Sequence, residues 1–234
     1  MKDILPNNEP RWGSRSSGFT LIEMAIVLLI VTLLLGGLLM PLSAHVEQRN
    51  IGETQKTMDE MKEALLGYAL ASNHLPCPDN DNDGFEDFNA TTGQCTVPEG
   101  NFPWATLGMG DADVWGQRYI YRVTTDFSNR APATLPSLST AGSLHICATV
   151  DCNAPRLTDD AIAVIVSRGK NQGNCATPSP PGCADERENN DNDATFVSRV
   201  ITAPGAPADE FDDLVTWLSP YLLFNRMVAA GRLP

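Results

Sequence analysis

From Phe19 to Leu42 the chain runs twenty-four residues with one charged side chain, Glu23. An apolar stretch of that length is read as a helix that spans a bilayer or is buried in an assembly. A carboxylate at the centre of such a helix costs roughly 2.5–3.5 kcal/mol on insertion scales, so Glu23 calls for a reason. A secretory signal peptide would be cut after its apolar run at a small-x-small site. Here the run ends Met40-Pro41-Leu42-Ser43-Ala44, a poor site, and it is too long for a signal core. The plain alternative is an uncleaved anchor that tolerates an acid near the membrane surface.

Charge gives the span a direction. The first 18 residues carry +1, and the remaining 216 carry −14 of the chain's net −13. Basic residues before the span and acids after it favour a cytoplasmic N-terminus with the bulk outside. A body this acidic repels nucleic acid, so no nucleic-acid partner is expected. All six cysteines, Cys77, Cys95, Cys147, Cys152, Cys175 and Cys183, follow the span. An even count in an exported domain argues for disulfides. Fifteen pairings exist, and the local scheme 77–95, 147–152, 175–183 is favoured because each pair brackets a loop rich in Gly, Pro or Asn. Zinc is the rival, but no C-x-x-C occurs.

The first helix is expected from about Thr20 to Ser72, with a kink or unwound stretch at Gly36-Gly37 and Pro41. Beyond Pro41 it turns amphipathic: Met58, Met61, Leu65 and Tyr68 make one apolar stripe, and Lys56–Glu60 is a local ion pair on another face. This half should lie across a sheet. Leu75-Pro76-Cys77-Pro78 stops the helix, and the chain is then rich in strands and loops. Strands are expected at 118–124, 144–148 and 161–166, the last apolar throughout as if buried on both faces. In the tail, Phe211, Leu214, Val215, Leu218 and Leu222 repeat at helical spacing, with Pro220 as a break.

One loop suits a hard cation. In Asp79-Asn80-Asp81-Asn82-Asp83-Gly84-Phe85-Glu86-Asp87, acids alternate and Gly stands sixth, for a sharp turn. Asp79, Asp81, Asp83, Asp87 and the Phe85 carbonyl would ligate calcium. Position twelve is Ala90 rather than Glu, and flanking helices are lacking, so this is not a complete EF-hand. The competing reading is a solvated acidic loop beside a disulfide. Catalytic signatures are lacking: there is no nucleophile elbow, phosphate loop or dinucleotide turn, and His45, His74 and His145 are scattered. A membrane-anchored enzyme is therefore the remote alternative.

Ser17-Gly18-Phe19-Thr20-Leu21-Ile22-Glu23, followed by the apolar run, resembles the start of type IV prepilins and of type II secretion pseudopilins. The resemblance implies cleavage after Gly18 by a prepilin peptidase, N-methylation of Phe19, and a role for Glu23 in recruiting each subunit. Asp113-Val114-Trp115-Gly116-Gln117-Arg118-Tyr119-Ile120-Tyr121 is similar to the D-P-W-G-x-x-Y-x-Y segment of major pseudopilins, with Val114 for Pro. Ile165 to Gly169 and the acidic loop beyond resemble that group's last strand and calcium loop, which implies a second calcium on Asp191 and Asp193.

Together these readings give an α+β, pilin-like chain: a leader over 1–18, a membrane and assembly half-helix over 19–42, and an amphipathic half over 43–72. A periplasmic β-rich domain with an antiparallel sheet follows over 73–204, and an extra, largely helical C-terminal segment over 205–234. The expected partners are the peptidase, other pilins or pseudopilins in a filament, and an inner-membrane assembly platform. A bacterial inner-membrane anchor would precede a periplasmic or surface filament. The role would be a filament building block, or a minor or tip subunit that starts assembly or binds a surface or secreted substrate.

Overall fold

A long helix, α1 (Leu21–Ser72), opens the fold. The structure, a computed structural model, describes residues 18–130, 136–153, 156–172, 183–202 and 210–232, and within them all side chains except those of 37–42. Two compact units meet in the chain at Gln48–Arg49. The break expected at Gly36-Gly37 and Pro41 is not found as an unwound stretch, because α1 is continuous there. A proline costs a helix about 3 kcal/mol, but propagation through flanking Leu, Met and Ala is cheap once the helix exists.

Over residues 21–36 the helix is apolar on every side apart from Glu23 and Thr32, and uncovered: Leu21 is 90 % exposed, and Leu28, Leu29, Leu33 and Leu34 are exposed around the turns that follow. Among the described residues no helix is long and apolar enough to cross a membrane; the described side chains of this run stop at Gly36.

The second unit follows in the order β1 (Glu99–Asn101), α2 (Trp104–Leu107), β2 (Ile120–Val123), α3 (Thr125–Ser128), β3 (Leu144–Cys147), β4 (Arg156–Ala161), β5 (Ala163–Ser167), α4 (Ala184–Glu188), β6 (Thr195–Val197), β7 (Leu214–Leu218) and α5 (Pro220–Ala229). One sheet has the order β1-β2-β5-β7 with every neighbour antiparallel; a second has the order β4-β3-β6. In the second sheet β3 pairs antiparallel with β4 and parallel with β6.

Strand alternation divides the core in two. Tyr121, Val123 and Ile165 face Met58, Met61 and Leu65 of α1, whereas Ile120, Val164 and Val166 face Ile146 and Phe196 of the second sheet. Every residue of β5 is buried, as its unbroken apolar run predicts. Each such side chain contributes about 1.5–3 kcal/mol by leaving water. The predicted helix stripe is found: Met58, Met61 and Leu65 are buried, Tyr68 is half-buried, and Lys56 pairs with Glu60 at 3.6 Å.

The tail corrects the sequence reading in its first half. Leu214–Leu218 is a strand, paired along β5 with Ile165 opposite Thr216. Leu214 and Leu218 join the helix-side core, and Val215 and Trp217 pack with the core on the opposite face. The spacing 214, 215, 218 satisfies a helix, but the free edge of β5 and a run of β-branched and aromatic residues favour pairing. Pro220 starts a helix rather than breaking one. It takes the first position of α5, where its missing N–H costs nothing, and the Ser219 hydroxyl caps the Tyr221 N–H at 3.3 Å.

The disulfides Cys77–Cys95 and Cys147–Cys152 are present, which leaves no thiolate there for zinc. Cys175, expected to pair with Cys183, lies outside the described residues.

Candidate functional site: the helix start and three acidic clusters

Helix α1 begins with a reciprocal cap. The Thr20 N–H and hydroxyl each donate to Glu23 Oε2 at 2.9 Å, and the Glu23 N–H donates to Thr20 Oγ1 at 3.3 Å. This is the T-x-x-E capping box, in which two of the first orphan donors of a helix are satisfied by side chains. The pattern is visible in Thr20-Leu21-Ile22-Glu23, yet an acid read for membrane cost alone hides it. The cap turns the carboxylate back toward the residue that follows Phe19. Gly18, Phe19 and Glu23 all lie exposed in this unit.

The first acidic loop is built by its own carboxylates. Asp79 is fully buried, its Oδ1 accepting from the Asn82 N–H at 2.7 Å and its Oδ2 from the Gly84 N–H at 2.9 Å. Asn82 and Gly84 stand at positive φ, 71° and 85°, as a sharp turn requires. Asp79, Asp81 and Asp87 bring one oxygen each within 4.8 Å of one another. Asp83 is not in that group: its Oδ1 accepts from the N–H of Phe85, whose ring is exposed. Neighbouring Glu86 points the other way, toward the body. It accepts from the Tyr68 hydroxyl and the Arg130 guanidinium, and from the Cys77 N–H at 3.1 Å. Burial and this carboxylate push the Tyr68 hydroxyl up to about 12.

The second loop brings Asp191 and Asp193 together with Glu188, which sequence reading did not single out. Asp191 Oδ1 accepts from the Asp193 N–H at 3.2 Å, and Asp193 Oδ1 from the Thr195 N–H at 2.7 Å. Burial, then Asp191, Asp193 and Asp185, push Glu188 up to about 7. Arg122 braces this side, donating to Glu99 Oε2 at 3.1 Å and to Asn192 Oδ1 at 3.0 Å. Both loops face one polar cleft of about 210 Å³, lined by Asp79, Asn80, Asn190 and Asn192 together with Glu99 and Arg168.

A third cluster, Glu186 with Asp212 and Asp213, was not foreseen. Its members come from α4 and from the entry to β7. Burial pushes Asp212 up to about 7 and Asp213 well above the carboxylate range; the Asn189 amide and the Arg168 charge pull Asp213 the other way.

The turn at residues 113–117 is a brace. Asp113 Oδ1 accepts from the Trp115 and Gln117 N–H groups at 3.0 and 2.9 Å, and Oδ2 from the Ser167 hydroxyl at 2.6 Å, with Gly116 at φ 81°. It fixes the turn that feeds β2 and pins it to β5.

No curated protein and no solved structure matches the chain. Residues 13–39 match the family described as the prokaryotic N-terminal methylation motif. Ahead of its α+β body, the chain thus carries the prepilin-type cleavage and methylation segment of type IV pilins and pseudopilins.

Proposed function

We propose that this chain is a filament subunit of a type II secretion pseudopilus or a type IV pilus. It is cut after Gly18 by a prepilin peptidase, methylated at Phe19, and held in the bacterial inner membrane by residues 19–42 until assembly. The observation that carries the reading is a helical stretch over residues 21–36, apolar around the helix and uncovered, with its one acid capped at the start inside a matching methylation motif. Such a surface has two stable environments, lipid and the packed helices of other subunits. An inner-membrane platform would hand the subunit from one to the other. In the packed state Glu23 would meet the new amine of a neighbouring Phe19, so that two charges leave water as a pair.

A minor or tip position is the second reading, favoured by the second sheet and by the strand and helix that the tail adds to the body. Low copy number in sheared filaments would distinguish it.

The acids of the two exposed loops are proposed to bind calcium. The support is donor chemistry: three carboxylates converge in each, with Arg122 beside the second loop spent on Glu99 and Asn192. Retention of full calcium stoichiometry after Asp81, Asp87, Asp191 and Asp193 are replaced by Asn would exclude it.

Intact mass from cells with and without the prepilin peptidase tests the central claim. A product that begins at N-methylated Phe19, only where the peptidase is present, is expected. An uncleaved chain in both strains would overturn assembly and leave a membrane-anchored periplasmic domain.

A further inference from the structure

Three neighbouring strands bring unlike polar groups to one place. Asn101 of β1 stands opposite Ile120 of β2, and Ile120 opposite Val166 of β5. Glu99 lies two residues before Asn101, on the same face by strand alternation, and Arg168 follows two residues beyond Val166. A Cβ on Gly100 would lie 2.6 Å from the Asp79 carbonyl oxygen, so the backbone that carries Asn80 comes directly onto β1. The segment after α4 supplies Asn190 and Asn192. Together they line the cleft of about 210 Å³, with Ile120 as its single apolar side chain among the described residues.

The fold uses only part of each polar side chain. Asn101 Nδ2 donates to Asn82 Oδ1 at 2.6 Å, and Asn190 Nδ2 to the Glu186 carbonyl at 2.8 Å. Arg122 donates to Glu99 Oε2 at 3.1 Å and to Asn192 Oδ1 at 3.0 Å. Among the described residues the rest is unspent: Oδ1 of Asn101 and of Asn190 and Oε1 of Glu99 as acceptors, Nδ2 of Asn192 as a donor, and the whole side-chain amide of Asn80. Arg168 donates to no described residue. Its Nε is buried without an acceptor, and its charge reaches Asp213 without a bond. A buried donor left bare carries its cost of desolvation, which an incoming oxygen relieves.

Donors and acceptors alternate around this lining, and a hydroxyl meets both, since it donates once and accepts twice. The Arg168 charge disfavours a cation. An anion would meet the carboxylates of Asp79 and Glu99 and, on either side, the two acidic loops. A neutral ligand rich in hydroxyls is left. Pockets for drug-sized ligands start at about 300 Å³, so this smaller cleft takes a single ring. We propose that the cleft binds one neutral sugar ring, as the end of a glycan presents it, with Arg168 and Asn192 donating to its hydroxyls and Asn101 and Asn190 accepting from them. None of these four is a proposed calcium ligand, and the assignment is independent of the filament reading.

The test uses the full chain in a zwitterionic detergent, which carries no sugar headgroup, with calcium present throughout. Methyl glycosides of glucose, galactose, mannose and N-acetylglucosamine are titrated while the backbone amide resonances are followed, beside methyl glucuronide and glycine as an anion and a zwitterion. At least one neutral glycoside should shift the amides of Gly100, Asn101 and Arg168 with a Kd of about 1 mM, the scale for so few atoms. Arg168→Gln should weaken that binding by about 10-fold. Asn192→Asp keeps the oxygen that braces Arg122 and replaces only the free donor, and should do the same; at an exposed position, it carries the test if Arg168→Gln fails to fold. No shift with any neutral glycoside overturns the proposal. So does a shift with the glucuronide or glycine alone, or parental affinity in either folded variant.

Discussion

Asp113 shows how one carboxylate sets the path of a chain. Its two oxygens take three donors, two from the turn ahead of β2 and one from Ser167 on β5. Hydrogen bonds to a charged group are worth about 1.5–3 kcal/mol, and removal of the acceptor strands every donor at once. Asp113→Ala should therefore cost about 3 kcal/mol of folding stability. Gly116→Ala meets no atom within 4 Å but must hold φ 81°, and should cost about 1 kcal/mol. Denaturant unfolding of the two variants checks the order. Equal losses would mean that the turn, and not its anchor, holds the strand. The sequence showed Asp113 and Gly116 only as a resemblance. The partner on β5 lies 54 residues away, and a single chain carries no sign of that pairing.

At the scale of elements, legibility followed periodicity. The stripe Met58, Met61, Leu65 and the apolar run of β5 each fit one period only, and both formed where expected. The tail fits two periods at once, and tertiary context decided: the edge of β5 was free, so 214–218 paired with it and α5 folded onto the core. The buried acids were illegible for a related reason. Glu186 and Asp212-Asp213 are ordinary acids in a chain full of them, and the 26 residues that separate them are bridged only by the fold. The tail's part in the core is testable through Phe224, 7 % exposed and 5.9 Å from the ring of Phe127. Phe224→Ala should cost about 3 kcal/mol, the low end for a buried aromatic, since a little of the ring is already wet. For a protein of this size that is a fall of about 6–12 °C in Tm. An unchanged Tm would mean that α5 is an appendage.

Across the whole molecule, a filament subunit of the kind proposed would divide two different tasks between its two units. The 49–234 unit has its own core on both faces of a sheet, and residues 18–36 present an uncovered apolar surface, which the proposed function gives to lipid or to other subunits. On the proposed function Glu23 would serve the second task, and among the described residues its side-chain bonds go only to Thr20 at the helix start. Its loss removes a cap worth about 1 kcal/mol to that turn and leaves the core of the other unit intact. In an assembled bundle the consequence is larger. A desolvated amine deprived of its carboxylate costs about 3–5 kcal/mol, which is more than a hundredfold in an equilibrium. Glu23→Ala should therefore leave the cooperative melt of the 49–234 unit in place while the subunit drops out of sheared filaments, even where the peptidase still cuts after Gly18. Filament yield and melting temperature, measured on the same variant, separate the two tasks. A parallel fall in both would return Glu23 to folding and remove its role in assembly.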